Sequence, residues 1–124
     1  MIRADTNVVL SLLMPPRRSE ASRIVEQAET FGPFVVSECV FVEVCWVLES
    51  VYSIRRGDVA LMIGDALQSE HLVSWDAALS RRALGIMGAN ERLSAVDALL
   101  AAHAADGDMI FTLDRALAST IQNL

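Results

Sequence analysis

Short apolar segments alternate along the chain with longer segments in which apolar residues recur every three or four positions. This alternation predicts strands that alternate with helices, and therefore a parallel sheet covered by helices on both faces. The predicted strands are residues 2–4, 34–36, 71–73 and 109–112. The first predicted helix begins near residue 8. The others cover residues 19–31, 37 to about 52, 57 to about 67, 76 to about 87, and 94–105, and a short last helix begins at Asp114. The sequence Pro15-Pro16-Arg17-Arg18 predicts a loop.

The size of the chain predicts a single domain over residues 1–124. Hydrophobic residues make up 53% of it, which is more than one small core hides, so we expect a homodimer or a tight protein partner. No apolar run approaches the roughly 20 residues that span a bilayer, and Asp5 interrupts the apolar stretch that a signal peptide needs. We therefore expect a cytoplasmic protein that is not associated with a membrane.

The charged residues exclude several classes of enzyme. All 10 basic residues are Arg, against 16 acidic residues, for a net charge of −6. Without lysine, the chain cannot be a P-loop nucleotide hydrolase. Receiver domains and haloacid-dehalogenase-type phosphatases also place Asp at strand ends, but they normally require a lysine near the phosphate. The negative charge argues against a sequence-independent nucleic-acid binder, although Arg remains well suited to holding phosphates.

Four carboxylates stand in unusually apolar surroundings, namely Asp5, Glu43, Asp97 and Asp114. Burial of a carboxylate is costly unless a hydrogen bond, a counter-charge or a metal compensates it. Asp5 and Asp114 could instead cap helices, and Asp97 follows Ser94 at the spacing of a capping box. Glu43 lies in the middle of a helix, where it cannot be a cap, so its structural alternative is a buried salt bridge with an Arg.

These four carboxylates together favour a metal site. Asp5 and Asp114 follow predicted strands, and ligands bind at the carboxyl edge of open parallel sheets. Because four converging carboxylates repel each other and no lysine can compensate them, a hard divalent cation fits best: Mg²⁺, with Mn²⁺ as the other candidate. A metal of this kind suits phosphoryl chemistry, since it can activate water and neutralise charge at phosphorus.

Four sequence blocks carry a resemblance to a known family. The segments ADTNVVL, SECVFVEVCWVL, LSAVDALLAAHAA and IFTLDRAL, in this order, resemble the PIN-domain family, and within it the VapC-type ribonuclease toxins of bacterial toxin–antitoxin pairs. The resemblance covers nearly the whole chain. It implies a three-layer α/β/α sandwich with a central parallel sheet, and a metal-dependent ribonuclease that cleaves RNA phosphodiesters with a metal-activated water.

The resemblance also implies a role for individual residues. Asp5 and Asp97 would be the principal metal ligands, and Glu43 and Asp114 would complete the acidic pocket, directly or through water. Thr6, Asn7 and Thr112 match polar positions that support the pocket by hydrogen bonds. Family members usually dimerise and are held inactive by a cognate antitoxin. They often end in a further strand, for which only residues 120–124 remain here.

Two other functions stay open from the sequence. The chain could be a PIN-fold nuclease of RNA processing, outside any toxin–antitoxin pair, or a catalytically silent PIN-like interaction module. The presence of all four acids favours a nuclease, and the small single domain favours a toxin.

Overall fold

The computed structural model describes residues 1–14 and 18–124. The described residues form three short strands, β1 (Ile2–Arg3), β2 (Phe34–Val36) and β3 (Leu72–Ser74). They also form seven helices: α1 (Thr6–Leu13), α2 (Arg18–Phe31), α3 (Glu38–Ser50), α4 (Arg56–Ala66), α5 (Ala77–Ala89), α6 (Ala95–Ala105) and α7 (Arg115–Gln122). Of the predicted loop, Pro15, Pro16 and Arg17 lie outside the described residues, and Arg18 belongs to α2.

The three strands form one parallel sheet in the order β1-β2-β3. Arg3 is aligned with Val35, and Val35 with Val73. Beyond the strands the pairing continues, since the Ala4 amide donates to the Val35 carbonyl at 2.9 Å and the Trp75 amide to the Val36 carbonyl at 3.0 Å. The predicted α/β fold with a parallel sheet is therefore confirmed, and the carboxyl ends of all three strands meet at one edge.

Polar side chains fix where most of the helices begin. Asp5, Asp76 and Asp114 each accept a hydrogen bond from an amide in the first turn of α1, α5 and α7, and Ser94 does so for α6. Such bonds satisfy amides that have no partner within the helix. At the other end of α2, Gly32 adopts a φ of 97°, a left-handed conformation that glycine reaches without strain.

The core lies between the sheet and the helices. Its largest fully buried side chains include Phe41 and Leu48 of α3, Leu72 of β3, Met87 of α5 and Leu117 of α7. Helix α6 contributes buried alanines, so it packs closely against α5. No helix among the described residues is long and apolar enough to cross a membrane.

The predicted strand over residues 109–112 does not form, which corrects the sequence analysis. Met109 and Phe111 are 97% and 91% exposed, and Leu113 is exposed as well. The segment connects α6 to α7, which pack on each other, and it pairs with no strand of the sheet in the described chain. Residues 120–122 belong to α7, and no strand follows that helix in the described chain.

Candidate functional site

Asp5 lies at the carboxyl end of β1 and caps α1. Its Oδ1 accepts a hydrogen bond of 2.7 Å from the amide of Asn7, and its side chain is exposed. The following residue, Thr6, is half-buried and begins α1. A carboxylate has about four lone-pair positions, so one capping bond leaves Asp5 able to bind a cation. The capping alternative for Asp5 is therefore observed, and it is compatible with a ligand role.

Asp5 opens onto a groove of about 420 Å³ between α1 and α2, which we call the Asp5 groove. Its floor includes Phe34 of β2, and its polar lining includes Asn7, Arg23 and Gln27. The fully buried Ser11 hydroxyl donates to Glu20 Oε2 at 2.9 Å and joins the two helices below the groove. This groove gives ligands access to the carboxyl end of β1.

Asp97 lies in the first turn of α6 and is half-exposed. Its amide donates to the Ser94 hydroxyl at 3.1 Å, which is the serine half of the predicted capping box. The bond uses the backbone of Asp97, so the cap does not occupy the carboxylate. A metal-binding role for this carboxylate therefore stays open.

Glu43 is exposed on α3, which corrects the expectation that it is buried. Helix α3 buries Phe41, Val44 and Cys45, while Glu43 and the exposed Trp46 lie three residues apart on its outer face. The apolar residues beside Glu43 in the sequence therefore point elsewhere. No Arg in the described parts of the chain forms an ion pair with it.

An apolar groove of about 620 Å³ lies between α3 and α6. Cys39 and Val42 line it from α3, and Leu100 lines it from α6. Among the described residues, the lining of this groove includes neither Glu43 nor Asp97. Glu43 follows Cys39 by four residues and Asp97 precedes Leu100 by three, so each shares a helix face with a lining residue. Helix α3 starts directly after β2, so the start of α3 lies at the sheet edge that also holds Asp5.

Asp114 caps α7, with its Oδ1 accepting from the Leu117 amide at 3.0 Å. Its own amide donates to the Thr112 hydroxyl at 3.0 Å, so Thr112 does support this turn by a hydrogen bond. Asp114 is exposed, and no strand of the described chain leads into it. Its position is set by α7, which packs on α6.

The donor chemistry of the four carboxylates suits Mg²⁺, but their arrangement does not form a closed cluster. Among residues 1–14 and 18–124, no group of three or more His, Cys, Asp or Glu side chains is placed to hold a metal ion. Mg²⁺ is often held by only one or two carboxylates together with water. The assignment of these four residues to one metal site therefore stays a prediction.

The structure also reveals polar residues that the sequence analysis did not select. Asp76 follows β3 at the same sheet edge as Asp5. Its position two residues after an apolar strand could have indicated this placement from the sequence. His103 lies 3.6 Å from Glu38, which begins α3 just after β2, and 3.5 Å from Asp108. Arg23 has no comparable signal, because only the packing of α2 on α1 brings it near Asp5.

Comparison with known families agrees with this fold. The family model described as PIN domain matches residues 2–121, so the chain belongs to the PIN-domain family. PIN domains are generally metal-dependent nucleases. Comparison with curated proteins gives no match, and comparison with solved structures gives none either.

Proposed function

We propose that the protein is a metal-dependent endoribonuclease and the toxin of a type II toxin–antitoxin pair of the VapBC kind. The observation that carries the proposal is Asp5, an exposed carboxylate at the carboxyl end of a parallel strand that opens onto a groove. Ligands of open α/β sheets bind at this edge. Because the chain belongs to a family of nucleases, a carboxylate at this position is a candidate metal ligand.

In this proposal Asp5 and Asp97 are the principal ligands of Mg²⁺ or Mn²⁺, and Glu43 and Asp114 complete the acidic pocket. When bound, the metal supplies charge neutralisation at phosphorus and favours attack by water. The chain itself orients the ligands. The Asn7 amide fixes the Asp5 carboxylate, and Thr112 holds the turn before Asp114.

The proposed partners are RNA, a cognate antitoxin and a second copy of the chain. Several large apolar side chains are exposed: Trp46, Val51, Leu61, Met109, Phe111 and Leu113. Contiguous apolar surface commonly marks protein interfaces, and Met109, Phe111 and Leu113 belong to one short segment. These residues support a protein partner, and light scattering of the purified chain tests the homodimer.

A cleavage assay tests the nuclease directly. Wild-type protein should cut single-stranded RNA in Mg²⁺ or Mn²⁺ and stop in EDTA. Asp5→Asn should lower the rate by at least about 100-fold, because it removes a ligand charge from the metal. Asp108→Asn, an exposed acid after α6, is the matched control and should cut normally.

The outcomes separate the three functions left open by the sequence. A wild-type chain that cuts no RNA with either metal would support the silent interaction module, which the absence of a closed acidic cluster in the described residues favours. Cleavage without toxicity in cells would support an RNA-processing nuclease. Growth arrest that a small DNA-binding protein from a neighbouring reading frame relieves would support the toxin.

A further inference from the structure

We propose that the Asp5 groove is a subsite for a backbone phosphate of single-stranded RNA, and that Arg23 is the residue that binds this phosphate. The inference rests on the proposed function, since Asp5 is its nearest catalytic candidate. It adds a substrate contact at a defined residue.

The placement of Arg23 beside Asp5 supports this assignment. Arg23 and Asp5 line the same groove, although α2 and β1 are separated along the chain by the whole of α1. The groove volume of about 420 Å³ falls within the range of small-ligand sites. A strand of RNA whose reacting phosphate lies at Asp5 would therefore bring a neighbouring phosphate within reach of Arg23.

The charge of Arg23 is available to a ligand. Its side chain is exposed, and within the described chain it forms no ion pair. Glu20, three residues earlier on the same helix, accepts instead from the buried Ser11 hydroxyl. Arg23 is thus the one cation among the residues that line this groove in the described structure. Its planar guanidinium suits two-point binding of phosphate oxygens.

The acidity of the whole chain makes a local cation important for RNA binding. With a net charge of −6, the protein repels RNA at long range, so productive binding needs local positive charge. Gln27 lies one turn after Arg23 and lines the same groove, where its amide can bind sugar or base atoms. The groove therefore combines a cation and a neutral hydrogen-bonding group with two carboxylates, Asp5 and Glu20.

RNA binding without metal tests this subsite separately from catalysis. Fluorescence anisotropy of a fluorescein-labelled single-stranded RNA is measured in EDTA over a range of KCl concentrations. Arg23→Gln should weaken binding about 5–10-fold and reduce the slope of log affinity against log salt by about 0.7, the value for one phosphate contact on a single strand. Arg23→Lys should keep most of the slope, because it keeps the charge.

Arg55→Gln is the matched control. Arg55 is an exposed arginine that precedes α4. It follows α3, a helix about 20 Å long that runs away from the carboxyl edge of the sheet. Its variant should bind RNA with the wild-type slope, and all three variants should melt normally because the side chains are exposed.

Three results would overturn the subsite: an unchanged slope in Arg23→Gln, an equal loss in Arg55→Gln, or no RNA binding by the wild type in EDTA. Asp5-dependent cleavage together with an unchanged Arg23→Gln slope would reject the subsite and leave the nuclease intact. An Arg23-dependent slope without any cleavage would reject the nuclease and leave the subsite.

Discussion

Replacing Arg56 by Met should destabilise the protein far more than the same change at its neighbour Arg55. Arg56 Nε donates to Glu49 Oε1 at 2.7 Å, and Nη1 donates to the carbonyl of Asn90 at 3.0 Å and to that of Leu93. One side chain thus joins the end of α3 to the connection between α5 and α6. That connection leads directly into Ser94, where α6 begins.

The loss can be estimated from these contacts. The Arg56 side chain is only 18% exposed, so its removal leaves a partly buried carboxylate and two carbonyls without their donor. Breaking a buried ion pair costs about 3–5 kcal/mol, and this partial exposure favours the lower value of about 3 kcal/mol. At about 2.1 cal/mol/K of unfolding entropy per residue, a chain of 124 residues should lose about 11 °C in melting temperature.

Thermal and urea unfolding followed by circular dichroism measure this difference. The Arg55 side chain is 89% exposed and meets Asp58 at 3.4 Å, so Arg55→Met should change stability by less than about 1 kcal/mol. An Arg56→Met protein that melts within about 3 °C of the wild type, or no lower than Arg55→Met, would refute the role of Arg56 in joining these elements.

Substitutions at three further positions test separate parts of the fold. Burial, with a contribution from Glu49, raises the pKa of the Cys45 thiol from 9.0 to about 12. Above pH 9 the unfolded chain loses this proton while the folded chain keeps it. Between pH 8 and 10.5, the free energy of unfolding of the wild type should therefore fall by about 2 kcal/mol more than that of Cys45→Ala, as measured by urea unfolding. Ser94→Ala should lower the free energy of unfolding by about 1 kcal/mol because it removes the hydrogen bond from the Asp97 amide, and Ser94→Gly should lower it by only a few tenths of a kcal/mol. Equal melting temperatures of the wild type and Ser94→Ala would count against the cap. Phe111→Ser should change stability by less than about 0.5 kcal/mol, and a loss of several kcal/mol in urea would mean that this segment is packed.

Much of the fold could be predicted because the local signals are strong. The strands near residues 2–4, 34–36 and 71–73 are short apolar runs before a capping residue, and each lies within one residue of its predicted bounds. Residues 109–112 have the same composition, yet form no strand. A strand needs a neighbouring strand to pair with as well as suitable residues, and this segment pairs with none in the described structure.

The candidate site was harder to predict, because sequence neighbours are not spatial neighbours on a helix. Glu43 is surrounded by apolar residues in the sequence, but the helical repeat turns it outward while Val44 and Cys45 face the core. Arg23 lies near Asp5 only because α2 folds back on α1. No local pattern in α2 indicates that contact.

Asp97→Asn is the measurement that separates a metal-binding carboxylate from a purely structural one. Ser94 accepts its hydrogen bond from the Asp97 backbone, so the variant keeps this cap. Its free energy of unfolding should fall by at most about 1 kcal/mol, because the negative charge near the positive end of the helix dipole is lost. We predict a folded protein that no longer cuts RNA in Mg²⁺ and whose melting temperature no longer rises when Mg²⁺ is added. An Asp97→Asn protein that melts normally and still cuts RNA at the wild-type rate would contradict the assignment of Asp97 as a metal ligand.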